Sequence, residues 1–153
     1  MTIRSTVPTA LAVIAVAAIG GTVTGGTLNS EWYADLTKPA WQPPGSLFGP
    51  VWTALYVLIA MAGSIALSRG GWLSRPVLLW VAQLVLNLGW SVAFFGLQSV
   101  GGALMVIVVL WAVILGYIVA AWPVSRISSF LFVPYLAWVS FASLLNAAIW
   151  LEN

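Results

Sequence analysis

The positions of eight charged residues, five basic and three acidic, limit what this 153-residue chain can fold into more than any other feature. No charge falls between Ser5 and Ser30, Ala40 and Ser68, Pro76 and Ser125, or Ile127 and Leu151. A charge at the centre of a bilayer costs ~2.5–3.5 kcal/mol on insertion scales, and a crossing helix needs ~20 apolar residues. The first, second and fourth gaps therefore each hold one crossing, and the long third gap holds two. That third gap divides at Gly96-Leu97-Gln98-Ser99-Val100-Gly101-Gly102, a turn-rich stretch. The spacing predicts helices near 7–27, 47–68, 76–96, 101–122 and 128–150, with a long lid loop over 28–46. The expected fold is an all-α integral membrane protein, one domain over 1–153. It is a compact bundle of five transmembrane helices whose short connections make neighbours antiparallel.

Composition agrees. The chain is 62% hydrophobic and only 5% charged, against roughly 25% charged in a soluble domain. Too few charges remain to solvate a globular surface, so the surrounding solvent is the lipid bilayer. There is no Cys and no His. That excludes disulfides, thiolate nucleophiles, Cys/His metal sites and Ser-His or Cys-His catalytic pairs, along with the commonest haem-iron ligands. The net charge of +2 rests on scattered basic residues without a cluster, which argues against nucleic acid as a partner.

Arg4, Arg69, Arg75 and Arg126 fall on one side of the expected membrane, while Lys38 stands opposite with Glu31, Asp35 and Glu152. The positive-inside rule predicts a cytoplasmic N-terminus and cytoplasmic second and fourth loops. The first segment reads as a span and not a signal peptide, because its apolar run to about Leu28 exceeds a signal core of ~7–15 residues.

Between the first two spans runs WYADLTKPAWQPPGSLFGPVWTALY, Trp32 to Tyr56. Proline fixes φ and lacks an N–H, so Pro39, Pro43 and Pro44 rule out a continuous helix or central strand. The segment reads as a stiff loop with aromatic faces (Trp32, Tyr33, Trp41, Phe48), a lid over something flat and apolar.

Four of the five spans carry two readings. In the first, Gly21-x-x-x-Gly25 is a small-xxx-small pattern, read as tight packing inside the bundle ahead of a ligand-facing groove. In the second, Trp52 and Tyr56 lie at i and i+4 on one face, followed by Ile59, Ala60 and Gly63. They suit either an interfacial aromatic belt or a pocket wall. The third span has Gln83 and Asn87, then Trp90 and Phe94. An intramembrane amide needs a partner, either another helix or a ligand. Gly89, Ala93 and Gly96 could form a close-packing face suited to a dimer seam. The fourth span, with Trp111, Gly116 and Tyr117 lacking polar companions, reads as a packing and lipid-facing helix. In the fifth, Tyr135, Trp138, Ala142, Leu145 and Asn146 share one face beyond a helix-bending Pro134, which suits a wall for a flat ligand or bundle core.

These residues in order resemble the TspO/MBR family of tryptophan-rich sensory proteins, translocator proteins and peripheral benzodiazepine receptors. The match is carried by Trp32-Tyr33, Lys38-Pro39-x-Trp41-x-Pro43-Pro44, Phe48, Trp52 and Leu55-Tyr56. It continues through Gln83-Leu84, Asn87, Trp90, Phe94-Phe95-Gly96, Pro134-Tyr135-x-x-Trp138, Ala142 and Leu145-Asn146. The resemblance implies a five-helix bundle, often dimeric in bacteria; the small-residue face of the third span is the expected seam of a homodimer, and a bacterial cell envelope is the expected membrane. It implies binding of porphyrins such as protoporphyrin or haem between the helices under the first loop. It further implies ligand hydrogen bonds at Trp52 and Asn87 and pocket walls at Trp138 and Ala142. Animal members have a sterol motif with a Tyr and an Arg where Ala147 and Leu151 stand here, so sterol recognition does not carry over.

The leading expectation is a receptor or translocator-type protein that takes up a planar tetrapyrrole and needs no cofactor. Trp32, Trp41, Trp52, Trp90 and Trp138 would stack on the ring, Gln83 and Asn87 would orient its polar groups, and Lys38 could neutralise a propionate. Without His or Cys, metal-free porphyrin should bind much as haem does. Two alternatives stand beside it: light-driven porphyrin breakdown with Trp52 and Trp138 as electron donors, and passive movement of tetrapyrrole or lipid. A driven pump is disfavoured, since no buried ionisable residue is present to couple ions.

Overall fold

A computed structural model describes residues 2–153. Helices account for the regular structure of those residues: α1 (Ile3–Leu28), α2 (Glu31–Asp35), α3 (Gly45–Gly70), α4 (Arg75–Ser91), α5 (Val100–Ala121) and α6 (Arg126–Glu152). A π-helical turn, Val92–Gly96, continues α4. Five helices, counting α4 with this turn as Arg75–Gly96, are long and apolar enough to cross a membrane.

Local chemistry explains where the ends fall. α1 starts earlier than the charge spacing predicts because Thr2 caps it: the Thr2 N–H donates to Ser5 Oγ at 3.1 Å. Ser5 Oγ also lies 3.2 Å from Ser64 Oγ on α3, which fixes this first turn to the bundle. Gly71 closes α3 with φ +76, a value that favours glycine, and its N–H reaches Leu67 O at 3.0 Å. The segment over 28–46 is not all loop. Ser30 Oγ accepts the Tyr33 N–H at 3.2 Å and starts the short α2, while Pro39, Pro43 and Pro44 keep the remainder non-helical.

Two apolar clusters fill the interior. The larger holds Ile59, Ile114, Tyr117, Phe132, Tyr135 and Val139; the smaller, on the lid side, holds Phe94, Ala103, Leu145 and Ile149. Leu11, Val85, Met105 and Leu144 point outward, as lipid-facing positions do. The basic end is assembled by contact, since Arg69 Nη1 donates to Val124 O at 3.0 Å and joins the second and fourth connections.

Three expectations about packing are overturned. Gly21, Gly25 and Gly26 face outward with nothing within 4 Å of where a Cβ would stand; Gly20 makes the close approach, 3.5 Å from Ser91 Oγ. The stripe's register, one residue off, depends on which side of α1 meets α4. Gly63 is no pocket wall, because the buried Trp80 indole occupies the space beside it. Trp111 and Tyr117 do have polar companions, supplied by other helices: Trp111 Nε1 donates to Ser140 Oγ at 2.7 Å, and Tyr117 Oη to Ala62 O at 3.1 Å. On the third span, Gly89 lies 3.8 Å from Val106 and Gly96 lies 3.4 Å from Val23, measured from an ideal Cβ. That small-residue face thus has neighbours within the chain itself.

Candidate functional site

The residues singled out from the sequence gather in three linked groups under and below the lid. The first centres on Asn87. Tyr56 Oη donates to Asn87 Oδ1 at 3.0 Å, and Asn87 Nδ2 donates to Tyr135 Oη at 3.0 Å. Trp52 closes this group, with its ring 5.5 Å from Tyr56 and 6.2 Å edge-on to Tyr135. Three helices thus meet on one amide, and Asn87 is 2% exposed. The i, i+4 spacing of Trp52 and Tyr56 put them on one face; the antiparallel neighbours α4 and α6 bring Asn87 and Tyr135 to it.

The second group lies along the middle of α6, facing the lid and the start of α3. Phe48 packs edge-on against Trp138 at 5.7 Å, Trp138 lies 5.5 Å from Phe141, and Trp41 reaches down to Phe141 at 5.8 Å. Trp41 is still 50% exposed, so it sits at the rim. The Trp138 indole nitrogen is buried with no hydrogen-bond partner among the described residues. Phe141 was not among the residues read from the sequence as a site, although its position three after Trp138 on α6 offered the signal.

The third group fixes the lid. Trp32 packs edge-on to Phe94 at 5.9 Å and Tyr33 lies 6.0 Å from Phe95. Trp90 sits 5.7 Å from Phe94, and its indole N–H donates to Asn146 Oδ1 at 3.0 Å. The Asn146 amide in turn donates to Val100 O at 2.9 Å, so it anchors the start of α5. The π turn at Val92–Gly96 carries both Phe94 and Phe95, and such turns re-aim side chains within a helix. Pro39 is buried, Pro43 is half-buried and Pro44 is exposed. Ala142 is buried in the larger cluster and Leu145 in the smaller one.

Two polar residues behave differently from their neighbours. Gln83 is 0% exposed, yet neither its Oε1 nor its Nε2 has a hydrogen-bond partner among the described residues. It stands one helical turn from Asn87, whose amide is satisfied. Lys38 Nζ donates to the carbonyls of Tyr33 and Leu36 and lies 4.4 Å from the Tyr33 ring centre. Its ammonium is committed to the lid itself.

Asn153 holds the far end of the lid, a contact that no sequence pattern signals. Its Oδ1 accepts the Thr37 N–H at 2.9 Å, and its Nδ2 donates to Thr37 O at 2.9 Å. The overall arrangement is an apolar, aromatic interior with few polar atoms.

A sequence model described as the TspO/MBR family matches residues 9–151. The chain is 47% identical over 124 residues to a tryptophan-rich protein TspO of Chlorobaculum tepidum, covering 78% of each chain. It is 42% identical over 154 residues to a tryptophan-rich protein TspO of Archaeoglobus fulgidus, covering 100% of this chain and 99% of that one. To the translocator protein of Homo sapiens it is 36% identical over 127 residues, covering 80% of this chain and 75% of the other. With the five apolar helices, this makes the chain an integral, multi-pass membrane protein that belongs to the TspO/MBR family.

Proposed function

We propose that this protein is a receptor or translocator-type membrane protein that binds a flat apolar ligand of the porphyrin class between its helices, beneath the lid. The observation that carries the reading is the pair of unpartnered buried polar groups, the Gln83 amide and the Trp138 indole N–H, set in an otherwise apolar, aromatic interior. Leaving a buried donor or acceptor unmade costs about 1–3 kcal/mol, so native proteins seldom keep one without use. A ligand carbonyl or propionate oxygen would supply the missing partner. Asn87 has a structural role here, tying α3, α4 and α6 together, and Trp52 and Tyr56 would form the wall that it holds in place.

Aromatic side chains meet edge to face under the lid, so a guest enters by displacing them. Trp41, half exposed over Phe141, is the natural gate. Each ring contact replaced by a ring–porphyrin contact is exchanged at similar strength, ~0.5–1.5 kcal/mol beyond burial. By its charge bias the end bearing Arg4, Arg69, Arg75 and Arg126 would face the cytoplasm, with the lid on the opposite side.

The test is a titration of the detergent-solubilised chain with metal-free protoporphyrin and with haem, followed by tryptophan fluorescence quenching. Saturable binding of both at comparable affinity is expected. Trp138→Phe and Gln83→Met should each weaken binding by roughly 2- to 10-fold, the loss of one hydrogen bond of ~0.5–1.5 kcal/mol. Non-saturable quenching, or unchanged binding by both variants, would sink the proposal.

A further inference from the structure

The flank formed by α4 and α5 carries a recess of about 590 Å³, well away from the lid groups. Its lining runs from Trp111 through Ala112, Gly116 and Ala120 to Pro123, with Arg75 at the mouth. The concavity has a simple cause. Ala112, Gly116 and Ala120 recur every four residues, so one stripe of α5 lacks side-chain bulk. An ideal Cβ on Gly116 would meet only Leu79 of α4, at 3.9 Å, so a methyl group would fit there at ordinary van der Waals contact.

Depth and charge then narrow the occupant. Ten residues of α5 lead from Trp111 to its last residue Ala121, a helical rise of about 15 Å, and Pro123 lies just beyond. Half of a ~30 Å hydrocarbon core is about 15 Å. The recess therefore runs from the interface to near the midplane and covers one leaflet. At its interfacial end Arg75 is exposed, and its guanidinium meets no carboxylate or carbonyl among the described residues. Of the other cations at this end, Arg69 donates to Val124 O at 3.0 Å and Arg126 lies 5.4 Å from the Trp122 ring centre, while Arg4, on α1, is exposed and does not line the recess. The acidic residues Glu31, Asp35 and Glu152 all belong to the lid end, so the charge at this end is uncompensated.

We infer that this recess is a binding site for an anionic phospholipid, one acyl chain lying along α5 and the phosphate on Arg75. A crossing helix from a second copy fits less well. It would need a groove through both leaflets, whereas this one ends at Trp111, whose indole is fixed to Ser140 Oγ at 2.7 Å. The site is independent of the porphyrin proposal, sharing no residue with it.

Native mass spectrometry of the delipidated full chain in detergent tests the inference. Phosphatidylglycerol and phosphatidylcholine of identical acyl chains are supplied in equal amounts. One phosphatidylglycerol per chain should be retained about fivefold over phosphatidylcholine, the factor for one basic residue worth ~1 kcal/mol at a membrane surface. Arg75→Gln should abolish that preference, Arg75→Lys should keep most of it, and Ala120→Leu should reduce retention of both lipids. The melting midpoint of the same samples in detergent reports that each variant is folded. Equal retention of the two lipids by the unaltered chain, or a preference untouched by Arg75→Gln, overturns the inference. A dimer that Ala120→Leu dissociates while lipid retention is unchanged also overturns it, and assigns the recess to a second copy.

Discussion

Asn153 holds Thr37 by both of its backbone groups, accepting from the N–H and donating to the carbonyl at 2.9 Å each. The contact spans 116 residues of sequence and ties the Pro-rich part of the lid to the end of α6. Because α6 also carries Tyr135 and Trp138, lid position and interior wall are set by one rigid element.

Removing this tie should free the lid without unfolding the bundle. Asn153→Ala deletes both hydrogen bonds to Thr37 and a third, from Asn153 Nδ2 to Ile149 O at 2.7 Å, each worth ~0.5–1.5 kcal/mol and at the lower end when exposed. Amide hydrogen exchange over residues 36–44 is expected to quicken about five- to tenfold, with the melting midpoint in detergent unchanged. Unaltered exchange would mean that the aromatic contacts of Trp32 and Trp41 hold the lid by themselves.

Asn87→Leu should destabilise the bundle by about 1–3 kcal/mol, because the Tyr56 and Tyr135 hydroxyls lose their partner in a buried setting. Adding Tyr135→Phe to Asn87→Leu should recover part of the loss, since removing both ends of a buried bond costs less than removing one. Melting midpoints of the two singles and the double measure this. Simple additivity would show that the amide and the phenol are not coupled.

Gln83→Met is expected to act in the opposite sense. It replaces two unpartnered buried polar atoms with a side chain of similar length, so the melting midpoint should rise while porphyrin affinity falls. A drop in stability would show that the amide has a structural partner after all.

Gly63→Ala should be poorly tolerated. A Cβ there would overlap the Trp80 indole, which is 3% exposed and donates to Ile59 O at 2.8 Å. The ring cannot retreat without giving up that bond, so a loss of about 1–3 kcal/mol is expected. Trp80→Phe on the Gly63→Ala background should restore part of it. If Gly63→Ala melts like the unaltered chain, α3 and α4 are less tightly packed than this contact implies.

The sequence by itself determined the number of spans, the segregation of basic and acidic ends, and the aromatic character of the lid. Each follows from a local cost: a charge in hydrocarbon, a proline without an N–H, a run too long for anything but a crossing helix. Gln83 and Asn87, two amides four residues apart, were indistinguishable at that level. Only the packing of α3 and α6 against α4 gave Asn87 two phenols and left Gln83 none. Likewise the glycines of α1 announced a close approach, but the face that α4 meets made it Gly20 and turned Gly21 and Gly25 outward. Asn153 against Thr37 was equally invisible, because a hydrogen bond between distant residues depends on where helices end in space. Costs borne by a residue alone can be read along the chain. Partnerships are decided when the helices choose their faces.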